Sequence, residues 1–443
     1  MNRNDPKLIK SWTFYDWANS VYPLVISSAI FPVYYTAVTT KKDSLGNIID
    51  DHVMFLGMQF KNTVISNYVL AFSFLIICFT SPLLSGIADS KGLKKRFLQF
   101  FCYLGATGCV GLFFLDSNPI TLNYGLIGIF IASLGFWSSL VFYNSYLPEI
   151  TDAQNMDKVS AKGYAMGYIG SSLLLILCLV FIQGIAPTLG IDTGLATRIC
   201  FLSVGIWWIS FAQIFFSKIK VNKAVNKSEG NIWSGFHELQ KVWKMVKQSS
   251  SLLGFLRAFL FLSMGVQTIM LVAAYFGAKL LNMPAGKLIP VILTIQFVGI
   301  GGSYLFSWIS KKKGNKFSLG LALLSWMFIC IGAWFDAEYK SEEGFYVLGF
   351  FVGAVMGGIQ SMSRSTYSKL IPMDTEDTAS FFSFYDITEK IAMVIGLFIF
   401  AFVEEHSPEK GMQNSVFALI FFFLISWILL QRVKDSRLNS VNH

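Results

Sequence analysis

Three ionisable side chains lie close together inside a long apolar stretch near the carboxyl end of the sequence. Asp386, Glu389 and Lys390 interrupt the run 379–402, and Lys390 falls close to its middle. In a bilayer a central lysine or aspartate costs ~2.5–3.5 kcal/mol on insertion scales, so such residues usually pair and mark a pathway. Asp386 and Lys390 are four residues apart and can bridge one another, whereas Glu389 needs a partner on another helix. The pattern indicates either a polar pathway or a structural ion pair within one helix.

A further cation, Arg364, lies in the preceding apolar run, with Gln360 close to it. A guanidinium recognises carboxylates through paired N–H donors. We therefore expect Arg364 to bind Asp386 or the carboxylate of a small solute, unless its long side chain extends to the membrane surface. Asn144 is a weaker candidate for the same cavity, because an amide within a membrane often serves only to join two helices.

Near the amino end, polar side chains fall on one face of an apolar helix. Asn19, Ser20 and Pro23 follow Asp16 at steps of three, four and seven residues. A polar stripe on a spanning helix faces the protein interior or a wet cavity rather than lipid. Asp16 is also close to the end of its run, where it could instead be a cap or an ion-pair partner at the interface.

The elements that position these residues are long apolar runs. The 443 residues are 54% hydrophobic and only 14% charged, whereas soluble domains average roughly 25% charged residues. A helix needs ~20 apolar residues to cross ~30 Å of hydrocarbon. We predict an all-α integral membrane protein whose twelve spans lie at about 15–38, 66–88, 97–115, 122–146, 163–187, 198–217, 254–279, 287–309, 317–335, 344–368, 380–403 and 414–431.

The basic residues are concentrated in alternate loops. Lysines and arginines dominate the loops after spans 2, 6 and 8 and the carboxyl-terminal tail, and acidic residues dominate the loops after spans 9 and 11. Because basic loops stay on the cytoplasmic side, the pattern predicts a multi-pass protein of the cell membrane with both termini in the cytoplasm. The net charge of +9 is explained by this orientation, so nucleic acid is not an expected partner.

The longest loop separates two halves that repeat one another. Pro148 and Pro372 end similar segments 224 residues apart, and Gly92 and Gly314 are 222 residues apart among lysines. We predict two pseudo-symmetric six-helix bundles, 1–217 and 254–443, joined by a linker at 218–253.

Within the linker, apolar residues recur at helical spacing beside several lysines. This stripe consists of Ile232, Phe236, Leu239, Trp243 and Val246. An amphipathic helix of this kind suits the anionic inner leaflet, with lipids as partners, and packing against the protein is the alternative.

Four segments carry a resemblance to a known family. They are YDWANS at 15–20, SGIADSKGLKKR at 85–96, FYNSYLPEI at 142–150 and QSMSRSTYSKLIP at 360–372. The second is similar to the loop 2–3 motif of the major facilitator superfamily. The others resemble its unidentified major facilitator branch, which is related to the fungal autophagy-associated vacuole effluxers. The resemblance implies the major facilitator fold, secondary transport by alternating access and, from the fungal relatives, efflux of an amino acid.

The loop motif predicts a cytoplasmic gate. Its members are Asp89, Gly92, Lys94, Lys95 and Arg96. A carboxylate at a helix carboxyl terminus opposes the helix dipole and needs a helix amino terminus or a lysine as partner. The resemblance implies that this contact joins the two halves, although Asp89 could simply balance the lysines. The corresponding loop at 310–314 lacks an aspartate, so we expect an interlock on one side only.

The remaining observations limit the function. The six cysteines lie in or beside the apolar runs without metal-ligand spacing, so neither a metal nor another cofactor is expected. No P-loop occurs, and no histidine falls within a span. Proton coupling would thus require a carboxylate, from Asp16, Glu149, Asp386 or Glu389. We expect a monomeric transporter for a zwitterionic solute rather than an enzyme, with a non-transporting receptor or scaffold as the alternative.

Overall fold

Twelve long helices and a shorter linker helix make up the computed structural model. It describes residues 3–43, 48–219, 232–281, 283, 285–373, 375–407, 409–434 and 436–438. The first half contains α1 (Pro6–Thr39), α2 (Asn62–Lys91), α3 (Lys94–Phe114), α4 (Pro119–Ile150), α5 (Met156–Thr188) and α6 (Thr193–Phe216). The linker helix is Ile232–Gln248, and the second half contains α7 (Ser250–Leu280), α8 (Ala285–Lys313), α9 (Asn315–Tyr339), α10 (Glu342–Leu370), α11 (Thr378–Glu405) and α12 (Gly411–Arg432).

Each of the twelve predicted spans corresponds to one of these helices. Within the described residues, eleven of them are long and apolar enough to cross a membrane. The twelfth is α11, which carries the charged group Asp386, Glu389 and Lys390. The helix α1 begins earlier than predicted, because Pro6 occupies its first turn and the Asp5 side chain accepts a hydrogen bond from the backbone N–H of Lys7.

The two halves have separate hydrophobic cores. Equivalent helices pack together in each half: α1 lies against α5 and α6, as α7 lies against α11 and α12. The halves meet where α2 and α4 contact α11, and where α5 contacts α8 and α10. This is the arrangement of two six-helix bundles that the internal repeat predicts.

Both termini lie at one end of the bundle. The backbone N–H of Asn4 donates to the carbonyl of Ile150, and the guanidinium of Arg437 donates to the carbonyls of Leu370 and Ile371. We call this the lysine-rich end, because α2 ends there at Lys91 and α8 ends there in three lysines.

At the opposite end, the described part of the connection between α1 and α2 contains two pairs of short antiparallel strands that the sequence patterns did not predict. Strands β1 (Lys41–Lys42) and β2 (Ile48–Asp50) pair, as do β3 (His52–Phe55) and β4 (Met58–Lys61). Leu56 and Gly57 make the second turn with positive φ angles, as a two-residue hairpin requires.

The linker helix packs against the protein on one side, although Phe236 and Trp243 of its apolar stripe are 43% and 38% exposed. Val242 and Val246 are fully buried, and the Trp243 ring stacks on Phe384 of α11 with centroids 5.1 Å apart. The linker helix and α2 approach each other closely at two glycines. A Cβ added at Gly86 of α2 would lie only 2.3 Å from the carbonyl oxygen of Gly235, so a larger residue would not fit there. The linker helix therefore contacts both halves. Residues 220–231 of the predicted linker lie outside the described ranges.

Candidate functional site

Arg364 of α10 is held entirely by the first half. Its side chain is 2% exposed. Its Nε donates to the Ser160 hydroxyl (3.0 Å), Nη2 donates to the Ser160 carbonyl (2.9 Å) and Nη1 donates to Asn144 Oδ1 (3.2 Å). Both terminal nitrogens also donate to Asp16 Oδ2 at 3.3 Å. The carboxylate bound to Arg364 is thus Asp16, whereas the sequence favoured Asp386 or a solute.

Aromatic rings surround the same guanidinium. Its central carbon lies 4.2 Å from the ring centre of Tyr164, 4.8 Å from that of Trp12 and 5.7 Å from that of Tyr143. Tyr143 also donates its hydroxyl hydrogen to Asp16 Oδ2 at 2.7 Å. A cation among aromatic faces and a carboxylate is stabilised by the ring quadrupoles as well as by charge.

Glycines on α5 bring these groups together. A Cβ at Gly163 would lie 2.3 Å from Asp16 Oδ2 and 2.8 Å from Arg364 Nη2. At Gly167 it would lie 2.5 Å from the Ser20 hydroxyl. Small residues let membrane helices approach closely, so α5 can press against α1 while Arg364 enters from the other half.

The second group of charges lies on α11. Lys390 Nζ is 3.0 Å from Asp386 Oδ1 and 3.4 Å from Glu389 Oε2. It also lies 3.8 Å from the ring centre of Trp137 on α4, in the first half. Glu389 accepts a hydrogen bond from Gln267 of α7 at 2.9 Å. The charge group is therefore paired within α11 and also contacts both halves.

The two charge groups both lie where the halves meet. Arg364 of α10 binds acceptors on α1, α4 and α5, and Lys390 of α11 lies against Trp137 of α4. Asn19 lies buried on α1, and its amide nitrogen has no hydrogen-bond partner within the described part of the chain. The structure thus brings the predicted residues into two clusters, Asp16–Asn144–Arg364 and Asp386–Glu389–Lys390, with Asn19 outside both.

The loop motif forms an interlock between the halves at the lysine-rich end. Asp89 Oδ2 accepts hydrogen bonds from the backbone N–H (2.7 Å) and hydroxyl (2.8 Å) of Ser380, at the amino terminus of α11. Lys94 Nζ is 3.8 Å from Asp89 Oδ1 and contacts Glu149 and Thr378. These five residues form the first interlock, in which a carboxylate faces the positive end of a helix dipole.

The remaining residues of the loop motif, Gly92, Lys95 and Arg96, lie outside the first interlock. Gly92 ends α2 with φ of +66°, a conformation that glycine adopts without steric cost. Lys95 donates to the carbonyl of Ile219 at 2.9 Å, and Arg96 is exposed. Neither basic side chain belongs to the first interlock.

A second interlock, which the sequence analysis missed, occupies the symmetry-related position. Asp157, in the first turn of α5, accepts hydrogen bonds from Ser310 (2.8 Å), Asn315 (2.7 Å) and Lys369 (2.7 Å) of the second half. The expectation of a one-sided interlock is therefore wrong. In the second interlock the aspartate is supplied by the start of α5 and not by the loop between α8 and α9. The signal available in the sequence for this second interlock was the group of polar residues beside Gly314, which the internal repeat aligns with Gly92.

Solved structures with the same architecture define the class of fold. The chain superposes on the xylose–proton symporter XylE with a TM-score of 0.70 and 14% identity, covering 98% of this chain and 97% of that one. It superposes on the transporter FucP in its outward conformation with a TM-score of 0.68 and 12% identity, covering 98% and 99%. The fold is that of the major facilitator superfamily, a class of multi-pass membrane transporters.

The sequence matches the family described as "Vacuole effluxer Atg22 like" over residues 4–440, and the chain belongs to that family. An uncharacterised MFS-type transporter of Bacillus subtilis, YxiO, is 28% identical over 443 residues, covering 100% of this chain and 98% of the relative. Autophagy-related protein 22-1 of Penicillium rubens is 22% identical and covers 88% and 78%. The protein is thus a secondary transporter of this superfamily and not an enzyme.

Proposed function

We propose that the protein exports a small zwitterionic solute, with an amino acid as the first candidate. The observation that carries the proposal is the presence of two largely buried charge groups where the halves meet, Asp16–Arg364 and Asp386–Glu389–Lys390. Charged groups at this depth are retained for a pathway more often than for stability. The family description adds efflux as the direction.

Transport would proceed by rocking of the two halves, which we take as residues 1–217 and 254–443. Both interlocks and the Asp16–Arg364 pair join the halves, and the interlocks lie at the lysine-rich end. Opening that end must break all three, which makes this arrangement the one closed at the lysine-rich end. We assign that end to the cytoplasm of a cell because of its basic loops, and we propose that one chain suffices for transport.

Coupling to protons belongs to the same proposal. Histidines occur at positions 52, 237, 406 and 443, outside the twelve helices. The carrier of a proton would therefore be a carboxylate at the junction, and the candidates are Asp16, Asp386, Glu389 and Glu149. Separating Asp16 from Arg364 would leave a buried charge unpaired, which protonation could relieve.

The test is uptake into proteoliposomes containing the purified protein, with the twenty amino acids supplied singly, with and without a pH gradient. The variant Lys390→Met should lose most of its flux at normal expression, because Asp386 and Glu389 lose their shared cation. Lys287→Met is the matched control, since Lys287 pairs with Glu342 at an exposed site. Absence of flux for every amino acid would refute the substrate assignment. Unchanged flux in Lys390→Met would refute the pathway.

A further inference from the structure

Among the residues that the structure describes, every hydrogen-bond acceptor and every aromatic ring that contacts the guanidinium of Arg364 belongs to the first half. Asp16 belongs to α1, Asn144 to α4 and Ser160 to α5, and together they accept all of its hydrogen bonds. The rings of Trp12, Tyr143 and Tyr164 come from the same helices. We call these six first-half residues the cation site.

The chemistry of the cation site is that of a receptor for organic cations. It offers one carboxylate oxygen, one backbone carbonyl, one amide oxygen and one hydroxyl within 3.3 Å of guanidinium nitrogens. Three aromatic faces complete the enclosure. Aromatic faces around a carboxylate are the combination that binds ammonium and guanidinium groups. The groups of the site are therefore complementary to a cation that donates several N–H bonds.

Opening of the lysine-rich end changes the occupancy of this site. Arg364 is part of α10 and moves with the second half, while the acceptors and rings stay with the first half. Asp16 would then remain in a protein interior without its cation, which is unfavourable unless another positive charge or a proton arrives. A solute cation entering from the opened end would satisfy the same acceptors.

We propose that the cation site is the binding site for the N–H-bearing cationic group of the solute, and that Arg364 is a tethered competitor for it. Opening at the lysine-rich end withdraws Arg364 and creates the vacancy. Closing returns Arg364, which displaces the solute toward the opposite side and so favours export. The proposal rests on the rocking motion of the proposed function, but occupancy of the site can be measured without transport.

The test uses the purified full-length protein and titrates methylguanidinium while thermal unfolding is followed at constant ionic strength. Arg364→Ala leaves the acceptors vacant, so methylguanidinium should raise its Tm saturably, because a ligand bound only to the folded state stabilises it. Methylammonium in a parallel titration tests whether an ammonium group suffices. Tetramethylammonium, which lacks N–H donors, should bind more weakly.

Two further variants show whether the ligand enters the cation site. In Asp16→Asn/Arg364→Ala the affinity for methylguanidinium should fall by about tenfold or more, since a hydrogen bond to a charged partner is lost. In Lys287→Met another carboxylate, Glu342, loses its cation at an exposed site outside both interlocks and the cation site. Methylguanidinium should therefore give no saturable rise in the Tm of that variant.

Equal responses of Arg364→Ala and Lys287→Met, or a response that persists without Asp16, would overturn the proposal. If Arg364→Ala is not recovered folded, Arg364→Gln keeps a polar side chain of shorter reach and is titrated in the same way. Absence of a rise in Tm in that variant would also count against the cation site. A positive titration with no amino-acid flux would uphold the site while refuting the amino-acid assignment.

Discussion

The ion pair between Arg364 and Asp16 shows that a buried charge needs hydrogen-bond partners as well as an opposite charge. Five hydrogen bonds to acceptors of the first half satisfy the guanidinium. A buried ion pair adds little net stability when complete, but removal of one partner costs about 3–5 kcal/mol. The pair therefore acts mainly to make one arrangement of the halves specific, and that role depends on the surrounding geometry.

That geometry can be tested at Gly163. In Gly163→Ala the new Cβ would meet Asp16 Oδ2 at 2.3 Å and Trp12 at 3.1 Å. Because overpacking of a tight contact typically costs 1–3 kcal/mol, we expect the free energy of unfolding to fall by about that amount. Thermal unfolding of the purified protein measures it.

The control for this substitution is Gly301→Ala on α8, where no heavy atom lies within 4 Å of the added Cβ. Alanine is the better helix former by ~1 kcal/mol, so this variant should be as stable as the parent or slightly more stable. An equal loss in both variants would mean that the contact of Gly163 with the ion pair is unimportant.

At the scale of elements, local sequence patterns were sufficient to predict the helices but not the contacts between side chains of different helices. Long apolar runs predict the spans, including α11 despite its three central charges, and the stripe from Phe236 to Val246 predicts the linker helix, because both signals lie within one segment. The partner of Arg364 is 348 residues away, and many carboxylates could have met it. The second interlock was missed for the same reason: only the packing of α5 on α8 places Asp157 beside Asn315.

The linker helix provides a prediction at this scale. In Gly86→Ala the added Cβ would collide with the backbone of Gly235, so the linker helix should separate from α2. We expect faster tryptic cleavage after Lys241 or Lys244, measured by mass spectrometry of the folded protein. Gly111→Ala, whose Cβ meets nothing within 4 Å, should be cleaved at the parental rate. Parental cleavage in Gly86→Ala would show that the contact does not hold the helix.

For the whole molecule, we propose that each interlock contributes to keeping the lysine-rich end closed. Asp89→Asn keeps the shape of the first interlock and removes its charge. Since a hydrogen bond to a charged group is worth about 1.5–3 kcal/mol, the open population should rise about tenfold or more. The readout is the rate at which a thiol reagent labels a cysteine introduced by Ser361→Cys. Ser361 is fully buried, and its carbonyl accepts a hydrogen bond from Ser160 of the other half. The native cysteines are replaced beforehand, and Asp50→Asn at the opposite end is the control.

The two interlocks lie on either side of the same junction, which leads to a prediction about their combination. Asp157→Asn alone should raise the labelling rate at position 361 as Asp89→Asn does, because Lys369 and Asn315 both lose their contact with a negative charge. If the halves move as rigid bodies, both interlocks break in a single opening step, and their free energies add. The double variant should then be labelled faster by the product of the two separate factors, until the open state predominates. A double variant no faster than the faster single variant would show that the interlocks open independently, and rigid-body rocking would have to be replaced by local opening of α5 or α11.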